Sequence, residues 1–250
     1  MSKVICAHYK KECPENLTEK LKAICKKIEP DNISANEPKA INGSNYTTVI
    51  MNPVKTVTIY EESVLLGNVL ERKDEKPWYL LNSAQPEGAY AIFRNNVDFA
   101  ELVTDAVASR TIWYYFDKEK FLAATSQRAI ILFLESFEFD DGCIPWILST
   151  GSLGPEHSWD KRISRVPPAS TIILNKKEWT IKSEKKEILF KPRQRSTSKH
   201  QKSLRSIIAN TFENIQIDLD NWVLPLSGGY DSRGILYFML KDKTARTKKP

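Results

Sequence analysis

The chain of 250 residues is long enough for one large domain or two smaller ones, and with 41% hydrophobic and 10% aromatic residues it can bury a core, which excludes a disordered polymer. No apolar run reaches the length of a bilayer span, and the opening "MSKVICAHYKKECPE" lacks the continuous apolar segment of a signal peptide, so a soluble, cytoplasmic protein without membrane partners is expected. The formal net charge of +6 is uneven: residues 176–202 carry +7 and the last ten residues +4, leaving the rest of the chain at −5.

The first forty residues read as helical at best. "CPENLTEKLKAICKKIEP" puts Leu17, Leu21, Ile24 and Ile28 on one face between Pro14 and Pro30. Cys6, Cys13, Cys25 and Cys143 lack the paired spacing of zinc modules and are expected as buried or half-buried thiols, with no metal held by cysteine or histidine. From Tyr46 the texture changes to short β-branched and aromatic runs: "YTTVIM", "KTVTIY", "SVLLGNVL", "GAYAIFRN", "FAELVTDA", "TIWYYFD", "KFLAAT", "STIILN" and "EWTIKS". Closely spaced strands joined by turns point to antiparallel sheets. Among them "SQRAIILFLESF" reads as a helix and "CIPWILSTGSLG" as a shorter one ended by Gly151 and Gly154. The run Trp113, Tyr114, Tyr115, Phe116 reads as core on one strand face.

The basic stretch "KPRQRSTSKHQK" is polar and has no interleaved aromatics; it reads as a solvated connector, and nucleic acid is not expected as a partner. Beyond it, Ser203 is placed to cap a helix striped by Leu204, Ile207, Ile208, Phe212 and Ile215. "WVLPL" reads as a strand, "SGGYDS" as a loop and "RGILYFML" as a buried helix, the opening of a doubly wound α/β domain.

Glycines between a strand and a helix let main-chain N–H groups converge on an anion, and the helix adds its positive end. Leu226, Ser227, Gly228, Gly229, Asp231 and Ser232 are therefore the candidate phosphate-binding residues, with Asp231 placed to cap the helix or to contact magnesium. "LSGGYDSR" resembles the pyrophosphate loop of the asparagine synthetase-like enzymes, whose ligase domain is an N-type ATP pyrophosphatase. Two further stretches extend the resemblance. "LVTDAVASRTIWYYFDKEKFLAATSQRAI" resembles a family segment reading approximately D-x-x-G-x-R-x-x-Y-Y and then F-A-S-E, and "RISRVPPASTIIL" one that ends in Pro-Pro-Gly.

The resemblance implies an α+β fold: an antiparallel two-sheet N-terminal-nucleophile-like sandwich over residues 1–190, a basic linker at 191–202, and the start of an ATP-binding domain at 203–250. It implies ATP and Mg2+ as cofactors, activation of a carboxylate as an acyl-adenylate with release of pyrophosphate, and amide formation by an amine. Asp105 and Arg110 stand where the family keeps a structural pair, and a buried charge pair is expected.

Two departures stand beside the resemblance. Glutamine-dependent members begin Met-Cys-Gly-Ile and use the terminal cysteine as nucleophile; here Cys6 is internal, and Ser2 is a much weaker nucleophile. The first domain is thus expected to be a non-catalytic scaffold, as in the β-lactam synthetases and lasso-peptide cyclases, with a small-molecule or peptide carboxylate as substrate. Only "KDKTARTKKP" follows the first βα unit, so a truncated or split ligase, or one completed by a second chain, is expected; a non-catalytic interaction or regulatory module is the alternative. His157, with Glu156, Asp160 and Arg162, is the remaining polar cluster suggestive of acid/base work, and a surface loop explains it as well.

Overall fold

The computed structural model describes residues 2–70, 77–155, 157–214 and 223–241. They form two compact units, one holding the described parts of Met1–Val69 and Lys76–Ile188 and the other the described part of Leu189–Pro250.

The first unit is α+β with two six-stranded antiparallel sheets. One sheet runs β10 (Ser164–Arg165), β8 (Trp113–Phe116), β9 (Lys120–Ala124), β1 (Lys3–Tyr9), β3 (Tyr46–Met51), β2 (Lys39–Asn42). The other runs β12 (Thr180–Lys185), β11 (Ser170–Asn175), β7 (Phe99–Thr104), β6 (Glu87–Asn95), β5 (Ser63–Leu70), β4 (Val57–Tyr60). Alternation along the strands sorts their side chains into layers. Val4, Cys6, Ile50, Phe121 and Ala123 from the first sheet meet Val64, Leu66, Phe93, Leu102, Ile172 and Leu174 from the second in one core between the sheets.

The opposite face of the first sheet, with Ile5, Ala7, Val49 and Leu122, is covered by α1 (Leu17–Lys27) and α2 (Gln127–Leu134). Leu17, Leu21, Ile24 and Ile28 are all buried there, as their helical spacing predicts. The outer face of the second sheet carries a smaller cluster in which Leu65, Tyr90, Ile92 and Val103 pack with Trp78. A buried ion pair holds the segment around Trp78 in place. Arg94 Nη1 lies 3.0 Å from Glu101 Oε2, Arg94 Nε donates to the Trp78 carbonyl at 2.6 Å, and Glu101 Oε1 accepts the Asn82 amide at 2.8 Å.

Several expectations are corrected. The opening residues are not helical at best: Lys3–Tyr9 is β1, between β3 and β9, and its run "VICA" is buried because both faces of that sheet are covered. The aromatic run of β8 serves both faces, Trp113 and Tyr115 toward the helices and Tyr114 and Phe116 toward the other sheet. The helix "CIPWILST", α3 (Cys143–Thr150), ends at Gly151 with φ +70.

In the second unit α4 (Thr197–Asn214) begins inside the stretch expected to be a linker, which places Ser203 in its interior and not at its cap. No strand is formed by 223–226; Trp222 and Ile215 lie outside the described residues. The last described helix, α5 (Tyr230–Lys241), stacks Phe238 on Phe212 of α4 at 5.7 Å. It is not buried: Ile235, Tyr237 and Leu240 are 41%, 53% and 56% exposed, since α4 covers only one side of it. Among the described residues no helix is long and apolar enough to cross a membrane.

Candidate functional site

The loop Leu226–Gly229 leads directly into α5, whose first turn contains Tyr230, Asp231 and Ser232. Gly228 has φ +79, a region that L residues with a side chain rarely occupy, and a Cβ there would meet nothing within 4 Å. The loop therefore turns through a glycine-dependent conformation while leaving open space at its tip. The leading N–H groups of any α-helix lack intrahelical acceptors and carry its positive dipole end, so the start of α5 offers main-chain donors to an anion.

Local contacts close the turn behind those donors. Ser232 Oγ donates to the Gly229 carbonyl at 3.4 Å and Arg233 Nε to the same oxygen at 3.2 Å, while the Arg233 guanidinium lies 4.8 Å from the centre of the Tyr230 ring. Ser227, Gly228, Gly229 and Asp231 are exposed, Leu226 is 57% exposed, and Ser232 is half-buried. All six candidate phosphate-binding residues thus lie in one solvent-accessible turn.

The other sequence candidates fall elsewhere. Cys6 is buried between the sheets, where loss of solvent pushes its thiol up to about 12, so it is an uncharged core group and not a nucleophile. Cys25 and Cys143 are also buried and Cys13 is half-buried, all of them free thiols. Ser2 is buried and donates its hydroxyl to the Asn52 carbonyl at 2.6 Å.

Asp105 and Arg110 do not form the expected pair. Asp105 instead gathers amides around its buried carboxylate: those of Tyr90 and Val107 at 3.0 Å and that of Ser109 at 3.2 Å, together with the Ser109 hydroxyl. Burial pushes this carboxyl up, but the Ser109 hydroxyl and these N–H donors outweigh it and hold the group below its ordinary value. Asp105 is therefore a turn-organising residue, and Arg110 is left without an ion pair or hydrogen bond among the described residues.

The polar cluster around His157 is also a lock between segments. His157 Nδ1 pairs with Asp140 Oδ2 at 2.8 Å, whereas Asp160 binds Arg162 through two oxygens at 2.9 and 2.6 Å and accepts the Glu138 amide at 3.1 Å. Burial opposes ionisation of Asp160, but the guanidinium and amides prevail and its carboxyl is held low. These contacts tie residues 136–142 to 157–162; Glu156 lies outside the described residues.

Sequence reasoning missed the backbone device that shapes the 105–111 turn. Ala108 has φ +49, and Ala169, after Pro167 and Pro168, has φ +51. The two turns are joined by the Ala169 amide donating to the Asp105 carbonyl at 2.9 Å. Alanine gives no sequence signal for positive φ, so these turns are visible only in the backbone.

No family model and no curated protein matches the chain. Among solved structures it is similar to the glutamine phosphoribosylpyrophosphate amidotransferase from Bacillus subtilis complexed with ADP and GMP, with a TM-score of 0.33 and 11% identity. That similarity covers 74% of this chain and 42% of the amidotransferase, and at such a score it carries no inference about activity.

Proposed function

We propose that the chain is an asparagine synthetase-like, ATP-dependent amide-forming ligase, or the part of one that carries its pyrophosphate loop. The observation that carries the reading is the turn at the start of α5, where Ser-Gly-Gly-x-Asp-Ser opens a helix with Gly228 at positive φ and free space at its tip.

In that role the amides of the first turn and the hydroxyls of Ser227 and Ser232 bind the β- and γ-phosphates of ATP. Asp231 lies in the first turn of the helix, and its carboxylate would hold a magnesium ion there. Magnesium would supply charge neutralisation for the departing pyrophosphate, and the turn would orient that leaving group while a substrate carboxylate attacks the α-phosphorus. A positive-φ turn at both alanines where the resembled segments have glycine supports the same reading, since the backbone path is kept although the residue differs.

The engaged Ser2 hydroxyl and the buried, neutral Cys6 support an amine source other than glutamine hydrolysed by this chain. The test is carboxylate-dependent exchange of labelled pyrophosphate into ATP with Mg2+, over aspartate and a panel of amino-acid and peptide carboxylates. Exchange that falls at least about tenfold in Ser227→Ala and Asp231→Ala, as loss of a charge-assisted contact implies, supports the ligase. Exchange that both variants retain in full would sink it.

A further inference from the structure

Where β1 begins, a cavity of about 460 Å³ opens at the end of the sandwich in the first unit. Both sheets contribute to it: Ser2 and Thr125 flank β1 and β9, Gly67 and Asn68 belong to β5, and the turn 109–111 closes the side. Its polar lining residues besides Lys3 are Ser2, Asn68, Ser109, Arg110, Thr111 and Thr125, and no aspartate or glutamate lines it. Lys3 also borders the cavity, but it shares the strand face of Ile5 and Ala7, which the helices cover, so its ammonium is not counted here.

Arg110 is half-buried and has no hydrogen-bond or ion-pair partner among the described residues. A half-buried guanidinium without a protein partner leaves its planar set of donors free to meet an anion. The backbone on either side of Arg110 is held firmly. On one side Asp105 binds the Val107 and Ser109 amides; on the other, Ile112 is buried and its carbonyl accepts the Val166 amide at 2.9 Å.

We propose that this cavity binds a small organic acid through its carboxylate, with Arg110 as the counter-charge, and that the ligand carries no ammonium group. The planar guanidinium matches a carboxylate with two parallel hydrogen bonds. An amino acid would bring a cation next to Arg110 with no carboxylate in the lining to receive it. The site binds without turnover, because three of its hydroxyls already serve the fold: Ser2 donates to Asn52, Ser109 to Asp105, and Thr125 Oγ1 accepts the Val4 amide at 3.1 Å. None of them is paired with a general base. This assignment is independent of the loop at α5.

Calorimetric titration of the full chain with butyrate, the neutral isostere butyramide, and glutamine tests it. Saturable butyrate binding is expected, weakened roughly 10- to 100-fold in Arg110→Gln, as loss of a charged hydrogen-bonded partner implies, and less in Arg110→Lys. Near-UV circular dichroism establishes that each variant is folded; if Arg110→Gln unfolds, Arg110→Lys bears the test by weakening butyrate without affecting the already weak butyramide. Three results would each overturn the proposal: no saturation with butyrate, butyramide binding as tightly, or glutamine binding as tightly as butyrate.

Discussion

At the scale of single residues, charged and polar side chains in the first unit act mainly as fasteners. Asp105 and Asp160 hold turns by collecting N–H donors, and the Arg94–Glu101 pair pins the segment at Trp78. His8 is the exception: it is buried in β1, stacked on Tyr46 at 5.4 Å, and its Nδ1 has no hydrogen-bond partner. Burial, aided by the nearby Lys176 charge, holds its pKa well below the ordinary 6.5. The folded state therefore keeps His8 neutral while the unfolded chain takes up a proton, so stability falls as the pH drops below about 6.5. His8→Phe should flatten urea-denaturation midpoints between pH 6.5 and about 5, above the range in which the depressed carboxylates contribute. An unchanged pH slope in that variant would place the acid sensitivity elsewhere. None of this is visible in the sequence, where no motif or periodicity marks His8; a lone histidine becomes notable once the strand containing it proves central.

Among the elements, periodicity was legible and context was not. α1 and α2 follow from spacing, because each buries one clear face, and strands such as β3, β5 and β11 follow from their β-branched content between turn residues. β1 escaped since a strand covered on both faces shows no alternation, and the start of α4 escaped since "STSKHQK" has no apolar stripe to mark it. β5 carries a sharper constraint. Gly67 has φ +116, and a Cβ added there would lie 2.2 Å from the Ala89 carbonyl oxygen across the sheet. Gly67→Ala combines left-handed strain with overpacking against backbone and should cost roughly 2–4 kcal/mol in denaturant unfolding. Ala108→Gly, which relieves positive φ, should stay within about 1 kcal/mol of the parent. Equal costs for the two would mean that buried methyl packing, not backbone conformation, governs these sites.

At the scale of the whole molecule, the two units differ in how completely they bury their apolar surface. The sandwich has a continuous core between its sheets and a helical cover, whereas α5 leaves Ile235, Tyr237 and Leu240 substantially exposed. The loop that suggests ATP was legible as a string because its glycines, serines and aspartate are contiguous. The cavity at Ser2 was not, because its lining comes from five places in the chain that only the paired sheets bring together. The most direct measurement is equilibrium binding of Mg-ATP to the folded chain, with inorganic pyrophosphate as competitor. Saturable binding that pyrophosphate displaces, and that weakens at least about tenfold in Ser227→Ala and Asp231→Ala, is the result expected of a pyrophosphate loop. No saturable binding, or binding that neither substitution disturbs, would contradict it.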